Sequence, residues 1–592
     1  MRCAAWLGVS RALTLLLAVH AVQAGKREPL QVETLHGTAL VYSLDFKGKE
    51  PQRLLGIRTT SGHRVQLRAA GPAAAQSAGL ATGMRIQVAG RWMHPEATPG
   101  KPKEPPFFMI VDVNASENAA GTAPQPTVRS LLGGVARAAA SRAPSPPHPR
   151  PRLPPPRPRP PQPRPLPPSP RPPPPSPRPP PPFLQPPPPS LQPPPPSSLA
   201  PLPYSLAPLL SFNELVSQDV KAIFIPIAGV ASPGVACPGT TLPLTTVAAV
   251  KKAVFEELSP RGVTVGSTLN RCSYGITKLT TSNSLVAPLV NLPCNGTNNG
   301  VNWTFSKCDF DDFNGYADAA DEALRQKGVN LDAYKHRVYL LPPSSCGFVG
   351  LGYVGCDGSF DCRVWIGADF WATPAAIVHE LGHNLYLAHA GAMTSAGVYD
   401  EYADMSGTMG YCCADRCPNT PHAWQLGWIT AQQINGSAIK PGQTLTFNIN
   451  SQAVSRQTGL RITGLDGSDP LFVGYRTKAG GDTPAPADIA GASISAGRLH
   501  LYTAAIANTF DPKPTSWMGS VSNGSAWEHP TAGLVVRLRS VSSTSAVVTL
   551  CRKAGPETLA SCRAGLDNDC NSLVADKDAA CLKLIRRPIR GL

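Results

Sequence analysis

Residues 373–389 run Thr-Pro-Ala-Ala-Ile-Val-His-Glu-Leu-Gly-His-Asn-Leu-Tyr-Leu-Ala-His, and no other stretch constrains the chain as tightly. Residues four apart share one face of an α-helix, so His379 and His383 can offer two imidazoles to one ion. Glu380 stands beside the first of them, placed to reach a water rather than the ion. The chain must then turn so that His389 supplies a third nitrogen and a fourth position stays open, the arrangement of catalytic zinc. Zinc there polarises a carbonyl and acidifies water, and Glu380 can take the proton as general base. The bland alternative is a buried amphipathic helix with incidental histidines. It would leave three imidazoles each needing a partner. With only 12 His in 592 residues, such spacing seldom arises by chance. A Zn2+ site at His379, His383 and His389, with Glu380 as the catalytic group, is therefore predicted.

The remainder of the chain sets the surroundings. Its length exceeds what one core supports. The net charge of +16 suggests nucleic acid until the arginines are located. Many lie in a proline-rich tract, with no basic helix or aromatic-basic ladder elsewhere, so nucleic-acid binding is not expected. Residues 1–24 read as a secretory signal, with Arg2 and Arg11 ahead of a short apolar run and small residues at its end. No later stretch is long and apolar enough to span a membrane. Of 15 Cys, ten fall between Cys237 and Cys417 and four between Cys551 and Cys581. Two even groups are what disulfide frameworks in an exported protein would give. A cysteine zinc cluster around Cys412, Cys413 and Cys417 is the weaker reading, because it lacks a second pair. Sequons at Asn114, Asn295, Asn302, Asn435 and Asn523 fit a secreted glycoprotein.

In chain order, residues 25–120 alternate apolar and polar in several runs and predict a small all-β barrel or sandwich. Residues 143–203, within a linker spanning 121–210, are proline-rich with interspersed Arg and predict a disordered polyproline II spacer. Its arginines offer contact to anionic wall polysaccharide. Residues 211–435 interleave strands (220–227, 337–341, 363–366) with helices (246–258, 316–327, and the one bearing His379), an α/β layer. Residues 436–551 are a succession of short strands, a β-sandwich pattern. The tail, 552–592, sets Asp567, Asp569, Asp576 and Asp578 among cysteines. These are oxygen ligands of the kind calcium takes, although the turn glycine and closing Glu of an EF-hand are missing.

Met409 follows His389 by 20 residues within Thr-Met-Gly-Tyr. Metzincin zinc proteases carry a methionine turn beneath their histidines, and Met409 is the candidate, a soft floor under the imidazoles. Tyr411, two residues on, is a candidate for steadying a developing oxyanion. Together with His379-Glu-Leu-Gly-His-Asn-Leu, Glu401-Tyr-Ala-Asp404, Cys412-Cys413 and Pro421-His-Ala-Trp-Gln-Leu-Gly-Trp428, these residues resemble the gametolysin peptidases of volvocine green algae. The proline-rich insert is similar to the hydroxyproline-rich modules of algal wall glycoproteins. The resemblance implies a secreted, metzincin-like zinc metalloendopeptidase acting on hydroxyproline-rich cell-wall or matrix glycoproteins, in the extracellular matrix. It implies His379, His383 and His389 as ligands and Glu380 as base. One position departs from the extended metzincin pattern, which has Gly three residues after the second His. Here it is Tyr386, and forcing Tyr to positive φ costs on the order of 1 kcal/mol unless the turn is made nearby.

The competing reading is a catalytically passive wall-binding glycoprotein, which has no physical need for all three His together with Glu380. Residues 25–120 are expected to act as a pro-region that blocks the site, with a simple binding module as the alternative. No Cys lies between Cys3 and Cys237, so a blocking ligand must be a carboxylate or an imidazole. His36, His63, His94, Asp45 and Asp112 are candidates, and the sequence does not choose among them.

Overall fold

A computed structural model describes residues 32–46, 52–69, 72–94, 105–116, 220–343, 346–356, 360–410, 413, 415–478 and 497–586. The predicted signal and the proline-rich tract lie outside the described residues. The N-terminal strands are β1 (Glu33–Asp45), β2 (Gln52–Thr59), β3 (Arg64–Ala69), β4 (Arg85–Met93) and β5 (Phe107–Ser116), with helix α1 (Pro72–Ala78) between β3 and β4. They pair in the order β2–β3–β5–β4–β1, and β1 pairs back onto β2, which closes the ring around Val41, Ile57, Leu67, Val88 and Phe108. Period-two alternation puts one face of each strand inside.

The 13-residue β1 serves two structures. Residues 33–38 pair with β4, while residues 42–45 run antiparallel to β8 (Gly350–Tyr353), pairing Tyr42 with Tyr353 and Asp45 with Gly350. The sheet then continues from β8 to β9 (Cys362–Ile366), β7 (His336–Leu340) and β6 (Ala222–Ser232). β6, β7 and β9 are mutually parallel and β8 is antiparallel to β9. The apolar start of β6 is buried at every residue from Ala222 to Gly229, as expected of a strand covered on both faces. One face carries α4 (Phe310–Gln326); the other carries α2 (Val247–Val254), α3 (Val265–Cys272) and α5 (Pro374–Asn384). The predicted helix over 246–258 ends early: Phe255 is extended, and Glu256–Leu258 form a single tight turn.

Tyr42 fixes the join between the N-terminal strands and the central sheet. It is fully buried, with its ring 4.8 Å from Tyr353 and 5.4 Å from Phe310. Beside it Arg64 pairs with Asp318 at 2.6 Å, and Asp318 pairs with Arg363 at 2.6 Å. Arg363 and Arg337 share Asp321 and Asp361, so these buried charges are all matched.

Beyond α5 the chain forms a seven-stranded and a four-stranded sheet around one core that includes Leu460, Val473, Leu501, Val536 and Val548. Strand Ala390–Met393, immediately after His389, belongs to the seven-stranded sheet and pairs in parallel with Thr515–Val521. Disulfides join Cys237–Cys294, Cys272–Cys417, Cys308–Cys346, Cys356–Cys362, Cys551–Cys570 and Cys562–Cys581, each within one of the two groups read from the sequence. Cys413 is also disulfide-bonded, which removes the alternative of a cysteine zinc cluster. The five sequon asparagines are exposed. No helix among the described residues is long and apolar enough to cross a membrane.

Candidate metal centre

Helix α5 starts with Pro374 at its first turn, where a missing N–H costs nothing, and its ten residues after Pro374 are all buried. Asn384 ties its end to the sheet, donating to Tyr353 O at 3.0 Å and facing His336 Nδ1 through its own oxygen at 3.0 Å. Burial holds His336 down to about 4, so it stays neutral and its Nδ1–H donates. The helix ends at Leu385, and Tyr386 then takes φ +67. The left-handed residue that carries the chain out of the helix, a glycine in the extended metzincin pattern, is here a tyrosine. Its ring lies 5.1 Å from that of Phe510, and a Cβ on Gly355 would come within 2.5 Å of it. Its carbonyl accepts from Gln425 Nε2 at 2.9 Å, and packing with this hydrogen bond offsets the backbone strain.

The turn carries His389 back to the helix. Each imidazole directs Nδ1 at an acceptor: His379 to Thr408 O at 2.9 Å, His383 to Leu387 O at 2.8 Å and His389 to Glu401 at 3.0 Å. Carbonyl and carboxylate oxygens only accept, so Nδ1 carries a proton in each ring and Nε2 is the atom whose lone pair a metal would take. Those lone pairs converge on Asp45, a fourth donor from the end of β1. Asp45 Oδ2 stands 2.8 Å from His379 Nε2 and 3.3 Å from His383 Nε2, and Oδ1 stands 3.0 Å from His389 Nε2. Four donors about 2.0 Å from a tetrahedral ion would lie about 3.3 Å apart. Lone pairs and a carboxylate this close repel one another unless a cation sits among them. The donor set therefore fits zinc.

Electrostatics point the same way. Burial pushes His389 down, but Asp45 and Glu401 hold it up at about 9, so this corner draws positive charge. Burial keeps His383 down at about 4. Burial alone would raise Asp45, yet His389 and His379 bring it well below the usual carboxylate range.

Glu380 is buried beside Asp45, and neither of its oxygens has a hydrogen-bond partner among the described residues. Burial, and next the charge of Asp45, raise its carboxyl well above the ordinary value. A Cβ on Gly350 of β8 would fall 2.1 Å from Glu380 Oε1, so only glycine leaves room for this carboxylate. Met409 is fully buried under the helix, and a Cβ on Gly382 would meet its sulfur at 2.5 Å. Tyr411 lies outside the described residues. The tyrosine seen in the centre is Tyr402, whose ring is 4.4 Å from that of His389 and whose hydroxyl donates to Asp45 Oδ1.

Sequence reasoning did not single out Tyr402, and it passed over Glu401 as an orienting group, although both sit in a stretch it quoted. Of the candidates for a blocking ligand, His36, His63 and His94 are exposed and Asp112 is half-buried, whereas Asp45 is in the centre. In the tail, Glu557, Asp569 and Asp578 converge within 4.8 Å, while Asp567 spends its carboxylate on the N–H groups of Asn571 and Ser572.

Residues 235–483 match the family described as gametolysin peptidase M11. A protein named autolysin from Chlamydomonas reinhardtii is 25% identical over 302 residues, covering 42% of this chain and 45% of its own length. The chain thus spans less than half of that relative. The matched segment holds all three converging histidines, Glu380, Glu401, Tyr402 and Met409. Through residues 235–483 the chain is similar to the gametolysin peptidases, family M11.

Proposed function

We propose that the chain is a secreted, metzincin-like zinc endopeptidase that cleaves hydroxyproline-rich glycoproteins of a cell wall or extracellular matrix. The observation that carries this reading is the convergence of three Nε2 atoms beside Glu380, a buried carboxylate with no hydrogen-bond partner among the described residues, on the helix that holds two of the histidines. His379, His383 and His389 would hold the metal, which supplies Lewis acidity toward a peptide carbonyl. Glu380 accepts the proton of the attacking water and delivers it to the departing amine. Its raised carboxyl suits a group that must both take and give a proton. Tyr402, whose hydroxyl reaches Asp45 in the centre, joins Tyr411 as a candidate for steadying the substrate oxygen as it gathers charge. Met409 supports the ring faces from below.

In this reading residues 1–24 are a signal, 25–120 a pro-region and 121–210 a linker. Residues 211–435 form the catalytic domain, 436–551 a β-rich domain and 552–592 the tail. The relative's name, autolysin, supports a lytic role, and the proline-rich tract supports residence in a wall. The test is digestion of casein and of a hydroxyproline-rich wall extract by the zinc-loaded chain cut between residues 120 and 211. Both should be hydrolysed, the wall extract faster, and a chelator should stop both. A zinc-loaded, cut chain that hydrolyses neither sinks the proposal.

A further inference from the structure

We infer that Asp45 is the chain's own blocking ligand: β1 inserts it among the three histidines as a fourth metal donor and covers the strand that flanks the site. The inference rests on the zinc-centre reading above. Its first support is position. Asp45 is buried, lies within 3.3 Å of all three Nε2 atoms and thereby occupies the corner that a catalytic site leaves open.

The second support is how firmly the carboxylate is held. Tyr402 donates to Oδ1, and Ser43 Oγ donates to the same oxygen at 3.3 Å. Tyr402, which the proposed reaction needs for its substrate, is thus committed to the blocking group. The third support is the backbone. β1 runs antiparallel along β8, with Val349 N donating to Asp45 O at 2.7 Å and Val354 N donating to Val41 O at 2.7 Å. β8 is also the strand against which Glu380 packs at Gly350. A peptide lying across the metal would use the free edge of β8 as an added strand, and β1 already fills that edge.

The block is built to be removed. No Cys lies between Cys3 and Cys237, so no disulfide ties residues 25–120 to the rest of the chain. Once the connecting segment 121–210 is cut, the N-terminal strands are held by non-covalent contacts, among them the Asp45 ligation, the β1–β8 hydrogen bonds, the Tyr42 packing and the Arg64–Asp318 pair. Because the ligand is a carboxylate and not a thiolate, mercurials and oxidants have nothing to act on. Proteolysis is the trigger that the architecture allows.

The experiment uses the uncut chain loaded with Co2+, whose visible spectrum reports the ligand set directly, and acetohydroxamate as a small competing donor. In the parent chain the spectrum should barely respond to acetohydroxamate. In uncut Asp45→Ala it should shift, with an apparent affinity at least about tenfold tighter, because the open position is no longer pre-occupied. Asp45→Asn, which keeps the shape and weakens the donor, should fall between them and guards against a misfolded alanine variant. Equal acetohydroxamate affinity in parent and both variants overturns the inference, as does failure of the parent to bind Co2+. If instead the spectra behave as stated and the cut chain still hydrolyses no peptide, Asp45 stands as the fourth ligand and the peptidase reading falls.

Discussion

At the level of single residues, Glu380 and the histidines divide the work, and substitution should separate them. Glu380→Gln keeps the three imidazoles and removes the base. The variant should hold metal at the parent level while peptide hydrolysis by the cut chain falls about 10²–10⁴-fold, measured by metal analysis and initial rates on one preparation. Activity within tenfold of the parent would remove Glu380 from its role. Tyr386 asks a different question, since its positive φ is unfavourable while its ring is buried. Glycine would relieve about 1 kcal/mol of backbone strain. It would also abandon contacts with Phe510 and Gly355, and emptying an aromatic site costs about 3–5 kcal/mol. Tyr386→Gly should therefore lower stability by about 2–4 kcal/mol in denaturant melts. A stabilised variant would show that strain dominates at this turn.

At the level of elements, the centre is assembled from three sources. Helix α5 supplies two histidines and Glu380, the turn into strand Ala390–Met393 supplies the third histidine, and β1 supplies Asp45. Two elements brace that turn: from the seven-stranded sheet Thr515 N donates to His389 O at 3.1 Å, and from the short helix Thr420–Gln425 the Gln425 amide donates to the carbonyls of Tyr386, Thr509 and Asp511. Gln425→Leu removes the donors from these carbonyls and should cost about 1–3 kcal/mol. It should also speed metal loss to a chelator, because His389 is then less firmly placed. Unchanged metal loss would mean that the turn holds itself. Tyr42→Ala should leave α5 intact and loosen β1 from β8. In the uncut chain it should appear as leak activity that the parent lacks.

The sequence made α5 legible because H-E-x-x-H ties chemistry to helical period, and β6 because its apolar run is unbroken. β8 was not legible. Gly350-Leu-Gly-Tyr353 has too few side chains to show alternation, since its glycines serve the carboxylate lying against them. Tyr402 was hidden because only the turn after His389 brings it near, and local pattern carries no such distance. Asp45 was one name among five, since the strand pattern marks β1 and is silent on what its last residue meets.

At the scale of the whole molecule, described residues on both sides of segment 121–209 fall in one compact unit, so the strands that close the site are part of the same body as the site. Cutting within 121–210 should raise peptide hydrolysis of the metal-loaded chain, and the uncut chain should be nearly silent on the same substrate. Equal rates would leave residues 25–120 as a binding module. All of this depends on one metal held by His379, His383 and His389. The most direct measurement is the metal content of the full-length protein, purified in the presence of zinc, beside His383→Ala prepared identically. The parent should carry one zinc per chain and the variant almost none. A parent free of zinc, or a variant as fully loaded as the parent, would contradict the account.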